Sequence, residues 1–172
     1  MSKTLKFVFI FLSFLILGVV SILLLSPKKI QYTTTITINA PLSKSWSAFL
    51  NPDTSTLWIR NLDTIVHVSG NPGEIGSVSK LLFSDNERKV EMLETITERE
   101  NFKVLAFRSE LESLMTIQQR VVFAGNDSQT TIDSENEVVA KGFFMRLALW
   151  GAKTSMKEQM DTSFEKFKLL LE

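Results

Sequence analysis

The sequence predicts an α+β architecture: a seven-stranded antiparallel sheet wrapped around one long C-terminal helix, with two short helices after the first strand and one transmembrane helix in front of everything. Three observations predict it. Residues 7–25, FVFIFLSFLILGVVSILLL, carry no charge. Between residues 62 and 139, short runs rich in β-branched and apolar residues are separated by turn-forming clusters. From residue 144 to 171, apolar side chains recur every three or four positions.

The leading run, as a helix rising about 1.5 Å per residue, covers roughly 28 Å, close to a bilayer's hydrocarbon thickness. Lys3 and Lys6 precede it, and Lys28 and Lys29 follow Pro27. A cleaved signal peptide has a similar positive start, but its apolar core is usually about 7–15 residues and ends at a small-residue cleavage site. Here the exit reads LLLSPKK. The expectation is a single-pass membrane protein, with residues 1–28 as anchor and 29–172 as one domain on the non-cytoplasmic side, since long downstream segments translocate with little regard to their charge.

The chain then reads in order. Residues 31–39, QYTTTITIN, alternate Thr and Ile at period two, which marks a strand. Asn39-Ala40-Pro41 stops it, and Pro41 suits the first turn of a helix whose apolar face is Leu42, Trp46, Phe49 and Leu50. Asn51-Pro52-Asp53 breaks that helix, and a second short one ends near Leu57-Trp58-Ile59. Strands follow at 62–69, 77–83, 88–97, 102–110, 114–123 and 129–139. The turns between them are Gly70-Asn71-Pro72-Gly73, Ser84-Asp85-Asn86, residues 98–101, and Gly125-Asn126-Asp127. Such short connections make an antiparallel meander. Gly142 precedes the final helix, whose inward stripe is Leu149, Ala152, Met156, Met160, Phe164, Phe167 and Leu171. A sheet must bury one face, and this helix is the only large partner for it.

Composition excludes several functions. Lys and Arg number 19 and Asp and Glu 19, so no basic footprint for nucleic acid exists. There are no cysteines, hence no disulfide, thiolate nucleophile or Cys-ligated metal. No cofactor is implied.

The order of elements, with particular residues at particular places, resembles the START-like superfamily, the Bet v 1-like or polyketide cyclase/dehydrase and lipid-transport group. The residues that carry the likeness are Thr35-Ile36-Thr37-Ile38-Asn39-Ala40-Pro41, then Trp46 and Phe49, Trp58, the glycine turn Gly73-x-x-Gly76, Leu93-Glu94, Gln129-Thr130-Thr131-Ile132, and the closing Phe164-x-x-Phe167-x-x-Leu170-Leu171-Glu172. It spans about residues 31–172, and its order and spacing matter more than any one motif. The resemblance implies a helix-grip fold with a cavity between sheet and helix that holds lipids, sterols, polyketides or other apolar molecules. The superfamily also contains enzymes, so fold alone does not choose.

Cavity-lining candidates are Trp58, Met92, Glu94, Arg120, Met156, Met160 and Phe164. Glu94 shares a strand face with Val90, Met92 and Ile96, where desolvation would raise its pKa and suit it to acid–base work. The plainer reading pairs it with Arg108 or Arg120, or turns it outward at a bulge. His67, the one histidine, is either an acid–base group or ligand-orienting donor in the cavity, or an ordinary strand residue; alone it cannot build a typical metal site. Arg120 could hold a ligand carboxylate by a bidentate contact, or be solvated. Asp133, Glu135 and Glu137 alternate on one strand face, as a cation site or as a solvated edge. The methionines suit a deformable apolar wall as well as a plain core. Asn126-Asp127-Ser128 is a glycosylation sequon.

No motif commits the chain to catalysis. The preferred expectation is a membrane-anchored module that binds a hydrophobic small molecule or lipid. The alternatives are a cyclase- or dehydratase-like enzyme using Glu94 and His67, and a tethered protein-interaction domain without ligand.

Overall fold

The computed structural model describes the backbone of residues 3–85 and 88–172 and the side chains of residues 6–21, 26–84 and 89–172. In chain order the elements are α1 (Lys3–Leu25), β1 (Lys29–Ile38), α2 (Leu42–Leu50), α3 (Pro52–Trp58), β2 (Leu62–Ser69), β3 (Val78–Asp85), β4 (Arg88–Glu100), β5 (Val104–Leu111), β6 (Met115–Gly125), β7 (Thr130–Ala140) and α4 (Phe143–Leu171). Every predicted strand and helix from residue 29 onward is present. Of the expected turn Ser84-Asp85-Asn86, Asn86 lies outside the described residues.

The strands form one antiparallel sheet in the order β1-β7-β6-β5-β4-β3-β2. Six strands meander, and β1 joins at the β7 edge with Ile36 opposite Ile132. β1 and β2 therefore lie at opposite edges, and α2 with α3 carries the chain between them. Burial along β1 alternates strictly, with Ile30, Tyr32, Thr34, Ile36 and Ile38 inward and the lysine, glutamine and threonines between them outward.

α4 packs against β1, β7 and α3. Gly142 lets the chain turn into it, at φ 86°, a left-handed conformation that suits glycine. At its far end Lys44 of α2 donates to the Leu171 carbonyl at 2.6 Å, tying the short helix to the end of the long one. The interior has two apolar clusters. The larger gathers Ile36, Ile38, Trp46, Phe49, Trp58, Leu105, Val121, Phe123, Ile132, Phe164, Phe167 and Leu171. Phe49 is its hub, with ring centroids 5.3 Å from Trp58, 5.3 Å from Phe123 and 5.7 Å from Phe167. The smaller holds Ile30, Tyr32, Val138 and Leu149, and Met160 touches both.

The leading segment corrects the sequence expectation. α1 is helical, and its side chains at residues 6–21 are exposed. Among the described residues no helix is long and apolar enough to cross a membrane. This overturns the single-pass membrane location, with the domain on the non-cytoplasmic side. The transmembrane part of the fold expectation goes with it. Lys3 and residues 22–25 of the expected span have side chains outside the described set.

Candidate functional site

The site begins with strand register. His67 lies opposite Ser79, Ser79 opposite Glu94, and Glu94 opposite Ser109, so four polar residues form one row across β2, β3, β4 and β5. With strands about 4.8 Å apart, the backbones of His67 and Glu94 are separated by about 10 Å. The register shift in β4 falls between Ile96 and Glu98, beyond Glu94, so no bulge turns the carboxylate outward.

This row borders a cavity of about 240 Å3 between the β2–β5 end of the sheet and the short helices. Its apolar wall includes Phe49, Trp58, Ile65, Leu81, Ile96 and Phe107, and its polar members include Glu94, Ser79, Gln119 and His67. The Glu94 carboxyl is enclosed by protein, and burial pushes its pKa up to about 7, against the opposing pull of the Ser109 hydroxyl, which donates to it at 3.1 Å. The residue as a whole is half-buried and lines this cavity. The indole N–H of Trp58 is buried without a hydrogen-bond partner among the described residues. His67 is exposed at the cavity's edge, its Nε2 3.0 Å from the Gly70 carbonyl.

A larger, open groove of about 910 Å3 shares Phe107 and Gln119 with that cavity. Its wall takes in side chains from both faces of the sheet. Strand alternation assigns Tyr32, Phe107, Gln119 and Asn136 to the inner face beneath α4, and Gln31, Thr33, Glu135 and Glu137 to the outer one. Only the inner set borders space between sheet and helix.

The expected site residues are thus divided. Trp58 and Glu94 border the cavity, with His67 at its mouth. Met92 shares Glu94's face but walls neither space, and Met156 and Met160 are half-buried and pack against the core clusters. Phe164, 1% exposed, is a core residue packed on Trp58 with centroids 5.9 Å apart. Arg120 points to the outer face, where Glu98 accepts from its Nε at 3.2 Å. Arg108 pairs with Glu110 at 2.8 Å, so neither arginine neutralises Glu94. Asp133 and Glu137 are on the outer face, held by Thr35 and by Lys29 with Gln31 respectively, and among the described residues no carboxylate or histidine cluster could hold a metal ion. Asn126 caps the β6–β7 turn by accepting from the Ser128 backbone N–H at 2.9 Å. Sequence reasoning passed over Ser79, Ser109, Gln119, Tyr32 and Asn136. Period two placed all five on strands, but pairing register, which sets them beside one another, is not written in any one strand.

The geometry defines a class of fold: a curved antiparallel sheet gripping a long helix, the helix-grip fold of Bet v 1-like and polyketide cyclase-type proteins. The particular structures it resembles bear this out. Thermus thermophilus TTHA0849 superposes with a TM-score of 0.67 at 14% identity over 83% of this chain and 97% of that one. Ara h 8.0201 gives 0.66 at 13% identity over 83% and 97%. The Zhui aromatase/cyclase from a Streptomyces species gives 0.60 at 10% identity over 83% and 96%. No protein-family profile and no curated protein matches the chain.

Proposed function

We propose that residues 29–172 form a binding domain for a hydrophobic small molecule or lipid, held between the sheet and the helices. The observation that carries this reading is a cavity walled by Phe49, Trp58, Ile65, Leu81, Ile96 and Phe107 that encloses one carboxyl with a pKa near neutrality. Apolar walls with few placed polar groups are the common form of a small-molecule site. At about 240 Å3 the cavity is below the range of roughly 300–1,000 Å3 for drug-sized ligands. It therefore takes one end of a ligand, and the shared residues Phe107 and Gln119 let the remainder extend along the groove. The solved relatives include an aromatase/cyclase and a Thalictrum norcoclaurine synthase with a transition-state analogue, which is support by fold only.

The test is native mass spectrometry of the full chain for a co-purified apolar molecule, with titration of a fluorescent fatty-acid probe. Ser79→Phe projects a ring into the cavity and is expected to weaken the probe at least tenfold. A clean mass together with no probe binding would overturn the reading, as would equal binding by wild type and Ser79→Phe.

One observation favours a second reading, an acid–base enzyme. A carboxyl with a pKa of about 7 populates both protonation states at neutral pH, the condition under which general catalysis is most effective. In that case Glu94→Gln would keep binding of the co-purified compound but lose its turnover.

A further inference from the structure

The interior beneath α4 is not uniformly apolar. A polar belt separates the two core clusters. In it, Ser134 Oγ accepts from Gln119 Nε2 and from Asn136 Nδ2, each at 3.0 Å. Thr34, opposite Ser134 in register, donates to Asp161 Oδ1 of α4 at 2.8 Å. Gln119 Nε2 also lies 4.0 Å from Met160 Sδ, where the two clusters meet.

Two groups in this belt are left without partners. Asn136 is 3% exposed, and its Oδ1 accepts nothing among the described residues. Tyr32, 7% exposed, has no hydrogen bond from its hydroxyl among the described residues. Tyr32 and Asn136 face each other in the β1–β7 register, and both border the groove. A buried polar group without a partner is unfavourable, and native proteins rarely keep one without a use for it. Here an unpartnered acceptor and a hydroxyl donor come from facing residues that both border the groove.

We propose that Tyr32 and Asn136 form the polar subsite of the ligand groove and take the hydroxyl of an otherwise apolar alcohol. This rests on the binding reading above and names the ligand class. The Tyr32 O–H donates to the ligand oxygen, and the ligand O–H donates to Asn136 Oδ1. One hydroxyl satisfies both through a single atom. A ketone, ether or carboxylate only accepts and gives Asn136 Oδ1 no donor, and an ammonium only donates and gives the Tyr32 O–H no acceptor. Burial pushes the Tyr32 hydroxyl up to about 12, so it stays a donor throughout the neutral range.

The experiment is displacement of the fluorescent apolar probe N-phenylnaphthylamine from the full chain by n-decanol, its methyl ether and decanoate. The alcohol is expected to bind about tenfold tighter than the ether, the equivalent of one buried hydrogen bond of ordinary strength. Asn136→Leu should reduce that ratio towards one by weakening the alcohol alone, whereas the near-isosteric Tyr32→Phe, which removes a donor that alcohol and ether both accept from, should weaken both. Tyr32→Phe keeps the test decisive should Asn136→Leu fail to fold. Equal binding of alcohol and ether, an unchanged ratio in Asn136→Leu, an unchanged alcohol affinity in Tyr32→Phe, or tighter binding of decanoate would overturn the subsite while leaving the apolar cavity standing. Binding of none of the three would overturn the cavity reading, and the subsite with it.

Discussion

Glu94 shows how one residue's surroundings decide its chemistry. An exposed carboxylate on a strand is a solvated charge; here strand register sets it on the inner face, and a single hydroxyl is its only hydrogen-bond partner among the described residues. Burial outweighs that one bond, and the neutral acid is favoured up to about pH 7. Phe164 shows the opposite outcome for a residue expected at a ligand wall. It is packed against Trp58 and the larger cluster, with no free face. Phe164→Ala should cost about 3–5 kcal/mol in urea unfolding, the usual cost of deleting a closed aromatic core residue. A loss under about 1 kcal/mol would mean that this face of α4 is not packed as described.

At the scale of elements, the hairpin between β6 and β7 is the most tightly specified. Gly125 ends β6, and a Cβ built there would stand 2.3 Å from the Gln129 carbonyl oxygen, which also accepts from the Asn126 N–H at 2.9 Å. Both partners are backbone, so neither can swing away. Gly125→Ala should therefore destabilise by about 1–3 kcal/mol, read as a lower thermal midpoint, because the turn must open to admit the methyl group. α4 is attached to the sheet by chemistry as well as by its apolar stripe. Burial acts to raise the Asp161 carboxyl, but hydrogen bonds from Lys157 and from Thr34 of β1 overcome it and hold Asp161 below the ordinary carboxylate range.

For the whole molecule, these carboxyls set the dependence of stability on pH. Glu94 is raised from 4.5 to about 7, so the folded state binds its proton more tightly than the unfolded chain does. Its contribution is full below pH 4.5 and is lost as pH rises through about 7, a change on the order of 3 kcal/mol. Asp161 and Glu137 are lowered, so their contributions are lost only as pH falls below the ordinary carboxylate range. The window from 4.5 to about 7 belongs to Glu94. Urea unfolding across that window should show stability falling as pH rises, and Glu94→Gln should flatten the slope. A flat wild-type profile would mean that the carboxyl is solvated.

The sequence by itself determined the elements. Thr35-Ile36-Thr37-Ile38 states its period, Pro41 and Pro52 mark where helices begin, Gly142 marks the entry to α4, and the stripe from Leu149 to Leu171 names its inward face. These are local signals, carried by residues a few positions apart. Tertiary structure alone decided the site. Arg120 and Gln119 are neighbours in β6, yet one pairs with Glu98 outside the sheet and the other lies in the belt beneath α4. Period two separates their faces, but which face is the inner one depends on how β6 joins β5 and β7. Tyr32 and Asn136 are brought together by the register of β1 on β7, and no residue between them in the chain encodes that meeting. The span of residues 7–25 is a further case, since counting uncharged residues yields a length, whereas crossing a bilayer requires a helix long and apolar enough to do it, which the described residues do not supply. Local chemistry is legible because its causes are close in sequence; a cavity is made by the residues that register places opposite one another.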